Sequence, residues 1–158
     1  MKGIEPIDMA LLEKVSRLAA ASPRLRRNHN FHASEADGCN RLLNAIEPGS
    51  YVRPHCHLDA AKDETLLILC GKLGVLEFDS AGKLSATAEL EPAGQTVGIN
   101  VPHGTFHSVV ALAPGTVFFE AKAGPYTPLL PSELAHWAPE EGGTAAAHYL
   151  EWMCRRFD

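Results

Sequence analysis

Two histidines separated by a single residue are the part of this sequence best suited to chemistry. They are His55 and His57, and they follow directly on Pro54. Residues two apart in a β-strand point to the same side, so both imidazoles would face one point. Glu64 opens an apolar run further on, and His107 opens a later one. Because a buried carboxylate without a partner is costly, a metal ion would explain an acid at that place.

Three imidazoles and one carboxylate form a mixed nitrogen and oxygen ligand set. Such a set suits one divalent transition metal, and Fe, Mn, Ni, Zn and Cu are all compatible with it. Four protein ligands would leave one or two positions open on a five- or six-coordinate ion, where a small molecule can bind. The predicted ligands are His55, His57, Glu64 and His107.

Further residues are candidates for binding a small polar or anionic molecule. Tyr51 and Arg53 have the same strand parity as the two histidines. A buried Arg53 needs an anion, which would be the carboxylate or phosphate of a ligand or, inside the protein, the carboxylate of Glu120. The predicted substrate-binding residues are Arg53, Tyr51, Asn44, His32, Asn30 and Tyr126.

Two alternatives stay open for these candidates. Asn28, Asn30 and His32 alternate along one strand face, which would line the pocket or form a polar outer face. Tyr126 and Trp137 would cap the mouth of a barrel or only pack the tail of the chain onto it.

Short strands must position these residues. Apolar runs and turn signals alternate every 8–12 residues or so, which is typical of a sandwich or barrel. A helix capped by Asp8 precedes them, carries an apolar stripe and ends at Ser22 before Pro23, and a final helix begins at Thr144. The predicted strands are 27–32, 41–46, 50–56, 64–70, 73–78, 83–90, 95–101, 105–112 and 116–121.

The sequence predicts one domain with three consecutive parts. Residues 1–25 hold the N-terminal helix, 26–123 the β-barrel, and 124–158 a wrapping segment rich in Pro and Gly followed by the C-terminal helix. The predicted apolar face of that last helix carries Ala147, Leu150, Cys154 and Phe157.

The spacing of the candidate ligands resembles the two sequence motifs of the cupin family. The residues that carry this resemblance are Gly49, His55, His57, Glu64, Gly71, Pro102, Gly104 and His107. It implies a mainly β fold, a single jelly-roll barrel (a double-stranded β-helix) with flanking terminal helices, and the same four metal ligands. It also implies a homodimer, because cupin barrels commonly pair. The loop between His57 and Glu64 is longer than in most cupins.

A second resemblance covers most of the chain. Segments 27–32, 41–44, 50–57, 119–120, 124–126 and 137–140 are similar to the WbuC family of cupin-fold metalloproteins. That family is associated with bacterial surface-polysaccharide gene clusters. The resemblance therefore implies a sugar or sugar-derived acid as the small molecule.

Composition and charge argue against some classes of binding partner for this protein. The net charge is −5, and the densest basic stretch, Arg24 with Arg26 and Arg27, is too short for a nucleic-acid-binding tail. The N-terminus lacks the features of a secretory signal, and no stretch approaches the ~20 apolar residues that span a bilayer. A cytoplasmic protein without nucleic-acid or membrane partners is therefore expected, and its four cysteines form no CxxC pair and are expected to be reduced.

Two classes of function are compatible with these residues. In the first, the protein is a metal-dependent isomerase or epimerase or, with Fe(II), a dioxygenase. The ion would act as a Lewis acid, and His32 or Tyr51 would move a proton. In the second, the metal stabilises a non-catalytic binding module.

Overall fold

Eight antiparallel strands form two sheets in the computed structural model, which describes residues 3–158. The first two residues of the unit predicted over 1–25 therefore lie outside the described residues. The strands are β1 (Arg26–Asn30), β2 (Cys39–Ile46), β3 (Glu64–Cys70), β4 (Leu73–Phe78), β5 (Leu84–Leu90), β6 (Gly98–Val101), β7 (Phe106–Ala111) and β8 (Thr116–Ala123). One sheet has the order β1-β2-β8-β3-β6 and the other β5-β4-β7. This architecture confirms the predicted jelly-roll barrel.

The space between the sheets is filled by alternate residues of their facing strands. Leu66 and Ile68 on β3 meet Val75 on β4 and Val109 on β7, all of them buried. The next residues along β4 and β7, Leu76 and Val110, point to the opposite side and are also buried. Because β4 and β7 are covered on both faces, nearly all of their residues are buried.

The N-terminal helix α1 (Met9–Ala20) covers the outer face of the larger sheet. Asp8 caps it as predicted, since its carboxylate accepts a 2.9 Å hydrogen bond from the Leu11 amide. Leu12, Val15 and Ala19 pack on the outward side chains of β2 and β8, whereas Met9 and Leu18 are exposed.

The C-terminal helix α2 (Thr144–Cys154) covers the outer face of the smaller sheet. Its most buried residues are Ala146 and Met153. Leu150, Cys154 and Phe157 of the predicted face pack against the same core, whereas Ala147 is exposed. No helix among the described residues is long and apolar enough to cross a membrane.

The strand predicted over 50–56 is not a regular strand. Pro54 has no amide hydrogen to donate to a ladder, and the segment forms only isolated bridges at His55. Its other partner is the wrapping segment: Cys56 donates to the Glu133 carbonyl at 2.9 Å, and Ala135 donates to the Pro54 carbonyl at 3.0 Å. Tertiary hydrogen bonds rather than a sheet ladder therefore hold the segment with the paired histidines.

Candidate metal centre

Backbone pairing places His55 directly opposite His107. Each amide donates to the carbonyl of the other, at 3.0 Å and 2.9 Å. Residues paired in this way point their side chains to the same face, and the two ring centroids lie 4.6 Å apart. Two ligands far apart in sequence are thus aligned by one bridge.

His57 reaches the same point because a tight turn fixes its backbone. Its carbonyl accepts a 2.7 Å hydrogen bond from Gly104, in the turn that leads into β7. Gly104 has a φ of +75°, in the left-handed region that glycine adopts without strain. The ring centroid of His57 lies 5.4 Å from that of His55 and 6.1 Å from that of His107.

Hydrogen bonds at Nδ1 orient two of these rings. Nδ1 of His55 lies 3.0 Å from the Arg53 carbonyl, and Nδ1 of His107 lies 2.9 Å from the Thr105 carbonyl. A carbonyl only accepts, so both Nδ1 atoms carry the hydrogen and both Nε2 atoms keep a lone pair. This is the arrangement that metal-ligating histidines usually show.

Burial keeps His55 neutral. Loss of water, with repulsion from His107 as the next cause, lowers the pKa of His55 to about 3. A neutral imidazole is the form that binds a metal.

Glu64 lies beside the histidines at the start of β3. Its Oε2 is 3.1 Å from Nε2 of His57 and 3.6 Å from Nε2 of His107, and the residue is only 5% exposed. Burial alone would raise its pKa, but the contacts with the two imidazoles outweigh burial and hold the pKa well below the usual range. The long loop between His57 and Glu64 is held in place by Asp63. Its carboxylate accepts hydrogen bonds from the backbone amide and the ring of His103, at 2.9 Å and 2.8 Å.

These donors fit a divalent metal ion. The three imidazoles can offer nitrogens that all lie within 4.8 Å of one another. With bonds of ~2.1 Å, two ligands of one ion lie about 3.0–3.4 Å apart, close to the separations of Glu64 from His57 and His107. The structure therefore brings the three predicted histidine ligands together, and Glu64 lies beside two of them.

A cavity of about 360 Å³, here called the metal cavity, adjoins this point. His55, Glu64 and His107 line one part of its wall, and Asn44 lines another. Arginines from the short basic stretch also line it: Arg24, Arg26 and Arg27. From the sequence, that stretch was considered only as a nucleic-acid-binding tail, and the cluster of three arginines was the available signal.

An acidic residue from the wrapping segment balances part of this charge. Both carboxylate oxygens of Glu141 accept hydrogen bonds from Arg24 and from Arg26, at 2.7–3.0 Å. These bonds, with that from Arg24 the largest cause, lower the pKa of Glu141 to about 2. Arg27 adds a further cation, so these four side chains carry a net positive charge.

A buried ion pair on β8 completes the wall. Lys122 Nζ lies 2.8 Å from Oε1 of Glu120, 3.4 Å from Nε2 of His57 and 3.9 Å from Oε2 of Glu64. Asn44 donates a 2.6 Å hydrogen bond to the other oxygen of Glu120. Burial works against the charge of Lys122, but the two carboxylates outweigh it and raise its pKa. Lys122 was not among the residues predicted from the sequence.

A second cavity of about 270 Å³, here called the amide cavity, lies next to the first. Its wall contains three of the predicted substrate-binding residues, namely Asn30, His32 and Tyr126. Glu120 and Lys122 line both cavities and so form part of a shared wall.

Tyr51 and Arg53 are placed elsewhere than their parity predicted. The hydroxyl of Tyr51 donates to the Pro139 carbonyl at 2.9 Å, and its ring packs against α2. The guanidinium of Arg53 donates to the Ala135 carbonyl at 2.8 Å and 3.2 Å and lies 3.8 Å from Glu140. Neither Tyr51 nor Arg53 is among the described residues that line the metal cavity. The reason is that the parity of a regular strand does not hold through this irregular segment.

The fold is shared with several solved structures. One of them is KdgF from Halomonas sp., which superposes on this chain with a TM-score of 0.51 at 20% sequence identity. The superposition covers 67% of this chain and 84% of that one. A conserved protein of unknown function from Streptococcus pyogenes gives a TM-score of 0.53 at 11% identity, over 80% of this chain and 93% of that one. A protein from Shewanella oneidensis gives 0.51 at 19% identity, over 63% and 68%. At these identities the likeness shows the fold alone, which is the cupin fold.

Sequence comparison adds a family. No curated protein matches the chain. One family model matches residues 7–90, which run from α1 to the end of β5 and include His55, His57 and Glu64. Since this match covers just over half of the sequence, the chain belongs to the family described as a domain of unknown function, DUF6016.

Proposed function

We propose that this protein is a metal-binding cupin that binds a small anionic molecule in the metal cavity. The observation that carries the proposal is the convergence of three imidazoles and a buried carboxylate beside a cavity that basic residues line. The predicted ligands are His55, His57, Glu64 and His107, and the metal is a divalent transition ion, with iron, manganese, zinc and nickel as the candidates to measure.

The charges of the site favour an anion. A divalent cation with neutral histidines and one carboxylate carries a net charge of about +1. The charges of Lys122 and Glu120 cancel each other beside the metal site. The three arginines at the cavity wall carry more positive charge than the single carboxylate of Glu141 can balance. Buried charge is costly unless it is paired, so an anionic ligand would complete the balance.

The chain's own residues would orient such a ligand. The ammonium of Lys122 is largely buried, close to the imidazole of His57, and its raised pKa keeps it charged as a hydrogen-bond donor. Arg26, whose strand partner Ile46 faces the space between the sheets, lines the cavity and offers a planar guanidinium suited to a carboxylate or phosphate. A bound metal would supply Lewis-acid polarisation of a ligand oxygen.

A non-catalytic binding module is supported by one further observation. His32 and Tyr51, the two residues predicted to move a proton, do not line the metal cavity among the described residues. A metal-dependent isomerase, an epimerase and an iron-dependent dioxygenase are the enzymatic alternatives. The similarity to the WbuC family favours a ligand related to surface polysaccharides, in a cytoplasmic homodimer.

Titration of the metal-loaded protein with acetate, malonate and inorganic phosphate tests the proposal. We expect binding that is lost when the metal is removed and weakened in Arg26→Gln. Arg17→Gln is the matched control, because Arg17 is an exposed arginine of α1 outside the cavity. Equal anion affinity with and without metal would contradict the proposal.

A further inference from the structure

The amide cavity differs from the metal cavity in chemistry. Side-chain amides supply much of its wall, through Asn28, Asn30 and Asn40, and the ring of Tyr126 lies at its edge. Amides offer both donors and acceptors, and a half-exposed tyrosine adds an apolar face and a hydroxyl. Three charged residues also line the cavity, but Glu120 and Lys122 are paired with each other and Glu35 is exposed, so the wall matches a neutral group that is rich in hydroxyls.

Sheet pairing explains why these residues face one space. Asn40 lies opposite Lys122 across the pairing of β2 with β8, and Asn28 lies opposite Asn44 across the pairing of β1 with β2. Paired residues point to the same face of a sheet, so the amides continue the polar row that begins at Glu64. The amide cavity is therefore a lateral extension of the metal centre along the same concave face.

Asn40 provides an independent indication of a ligand. It is only 3% exposed, and its Oδ1 has no hydrogen-bond partner among the described residues, although it lines this cavity. Buried polar atoms are nearly always paired, because an unpaired one loses its hydration without compensation. A ligand hydroxyl donating to this oxygen would satisfy it.

Backbone hydrogen bonds hold the rim of the cavity in place. Tyr126 donates its amide hydrogen to the Glu35 carbonyl at 2.7 Å, and Gly124 donates to the Gly38 carbonyl at 3.1 Å. These bonds join the start of the wrapping segment to the loop between β1 and β2. Nδ1 of His32 is engaged by the backbone of Arg41, which leaves its other nitrogen for a ligand.

From these observations we infer that the amide cavity is a subsite for a neutral, polyhydroxylated group, and that one ligand can place this group there and its anionic group in the metal cavity. The second half of this inference rests on the proposed function, whereas the first half does not. Glu120 and Lys122 form a wall common to both cavities, so a single molecule would pass over this pair.

Two probes separate the subsite from the metal site. Methyl α-D-glucopyranoside is neutral and tests the amide cavity in protein stripped of metal, with chemical-shift changes followed by NMR. Gluconate carries a carboxylate and a row of hydroxyls, and it is compared with acetate on the metal-loaded protein by calorimetry. We expect the glycoside to bind the stripped protein, and gluconate to bind more tightly than acetate.

Variants assign the effect to this cavity. Asn40→Leu and Tyr126→Ala should each weaken gluconate and glycoside binding at least about fivefold, as expected for the loss of a hydrogen bond or a stacking contact, and leave acetate unchanged. Asn40→Leu also removes an unpaired buried amide, so its unfolding midpoint should not fall. Asn100→Leu, at an exposed asparagine of β6 outside this cavity, is the matched control.

The possible outcomes distinguish the two proposals. If gluconate and acetate bind equally and the glycoside does not bind, the subsite is refuted while the anion site stands. If acetate does not bind but the glycoside binds wild type and not Asn40→Leu, the subsite stands and the proposed function fails. Binding of the glycoside that Asn40→Leu and Tyr126→Ala leave unchanged also overturns the inference.

Discussion

Removing the ammonium of Lys122 should destabilise the protein strongly, because it breaks a buried ion pair. The 2.8 Å contact between Lys122 and Glu120 corresponds to about 6 kcal/mol of attraction at an effective dielectric constant of ~20. Most of this is offset by the loss of hydration of both groups. The Lys122→Met variant loses the attraction but leaves the carboxylate of Glu120 buried, with Asn44 as its remaining donor. We therefore expect a loss of about 3–5 kcal/mol, or roughly 6–20 °C in Tm.

A double-mutant cycle shows whether this cost comes from the stranded carboxylate. Urea unfolding is followed by circular dichroism for Lys122→Met, Glu120→Gln and the double variant, all stripped of metal. The double variant should recover most of the loss, since the side-chain amide introduced by Glu120→Gln can still accept from Asn44 without carrying a charge. Lys72→Met, which breaks a more exposed pair with Glu89, should change stability little. A loss below about 1 kcal/mol for Lys122→Met, or no recovery in the double variant, would refute this reasoning.

Three further predictions concern other parts of the molecule. Glu141 has a pKa lowered to about 2, below the ~4.3 of an unfolded chain, so its stabilising effect is present above pH ~4.3 and is lost as the pH falls towards 2. The difference in unfolding midpoint between wild type and Glu141→Gln should shrink over that range, and a constant difference from pH 7 to 2 would contradict it. Met153→Ala should cost about 2–5 kcal/mol in urea unfolding because Met153 is fully buried between α2 and the smaller sheet, whereas Met9→Ala, at an exposed position, should stay within about 0.5 kcal/mol. A divalent metal that binds the site should stabilise the protein by ~2.7 kcal/mol at 100 times its Kd, which raises Tm by about 5–11 °C. His57→Ala should abolish this rise in Tm. An equal rise in both proteins would place the metal elsewhere.

Strands with strong local signals could be predicted closely from the sequence. The predicted strands 64–70 and 73–78 coincide with β3 and β4, because both are apolar runs separated by Gly71 and its neighbour. Gly71 has a φ of +73°, which suits the turn between them. The strand predicted over 50–56 was wrong, because Pro54 cannot donate to a sheet ladder and the segment pairs instead with the wrapping segment.

The metal centre could be predicted to the extent that its signals are local. The pair His55 and His57 and the turn before His107 are short patterns, and the structure brings these three side chains together. Lys122 was not predicted because nothing in its neighbourhood in sequence marks it. It reaches the centre only through the pairing of β3 with β8, which sets it opposite Glu64.

The difference between local sequence patterns and long-range pairing also explains where the predicted ligand contacts lie. Arg53 and Tyr51 were assigned from strand parity, which requires a regular strand that this segment does not form. Asn30, His32 and Tyr126 do share one cavity, but its separation from the metal cavity depends on the long-range pair of Glu120 and Lys122.

The metal content of the purified protein tests the central claim most directly. Protein prepared without added metal, and protein stripped and reloaded with iron, manganese, zinc or nickel, would be measured by elemental mass spectrometry. The account predicts one tightly bound divalent ion per chain in wild type and its loss in His107→Ala, with His148→Ala as the matched control because His148 is exposed on α2 and lies outside the cluster. Failure of the folded wild-type protein to hold any of these ions, or equal retention in His107→Ala, would contradict the account.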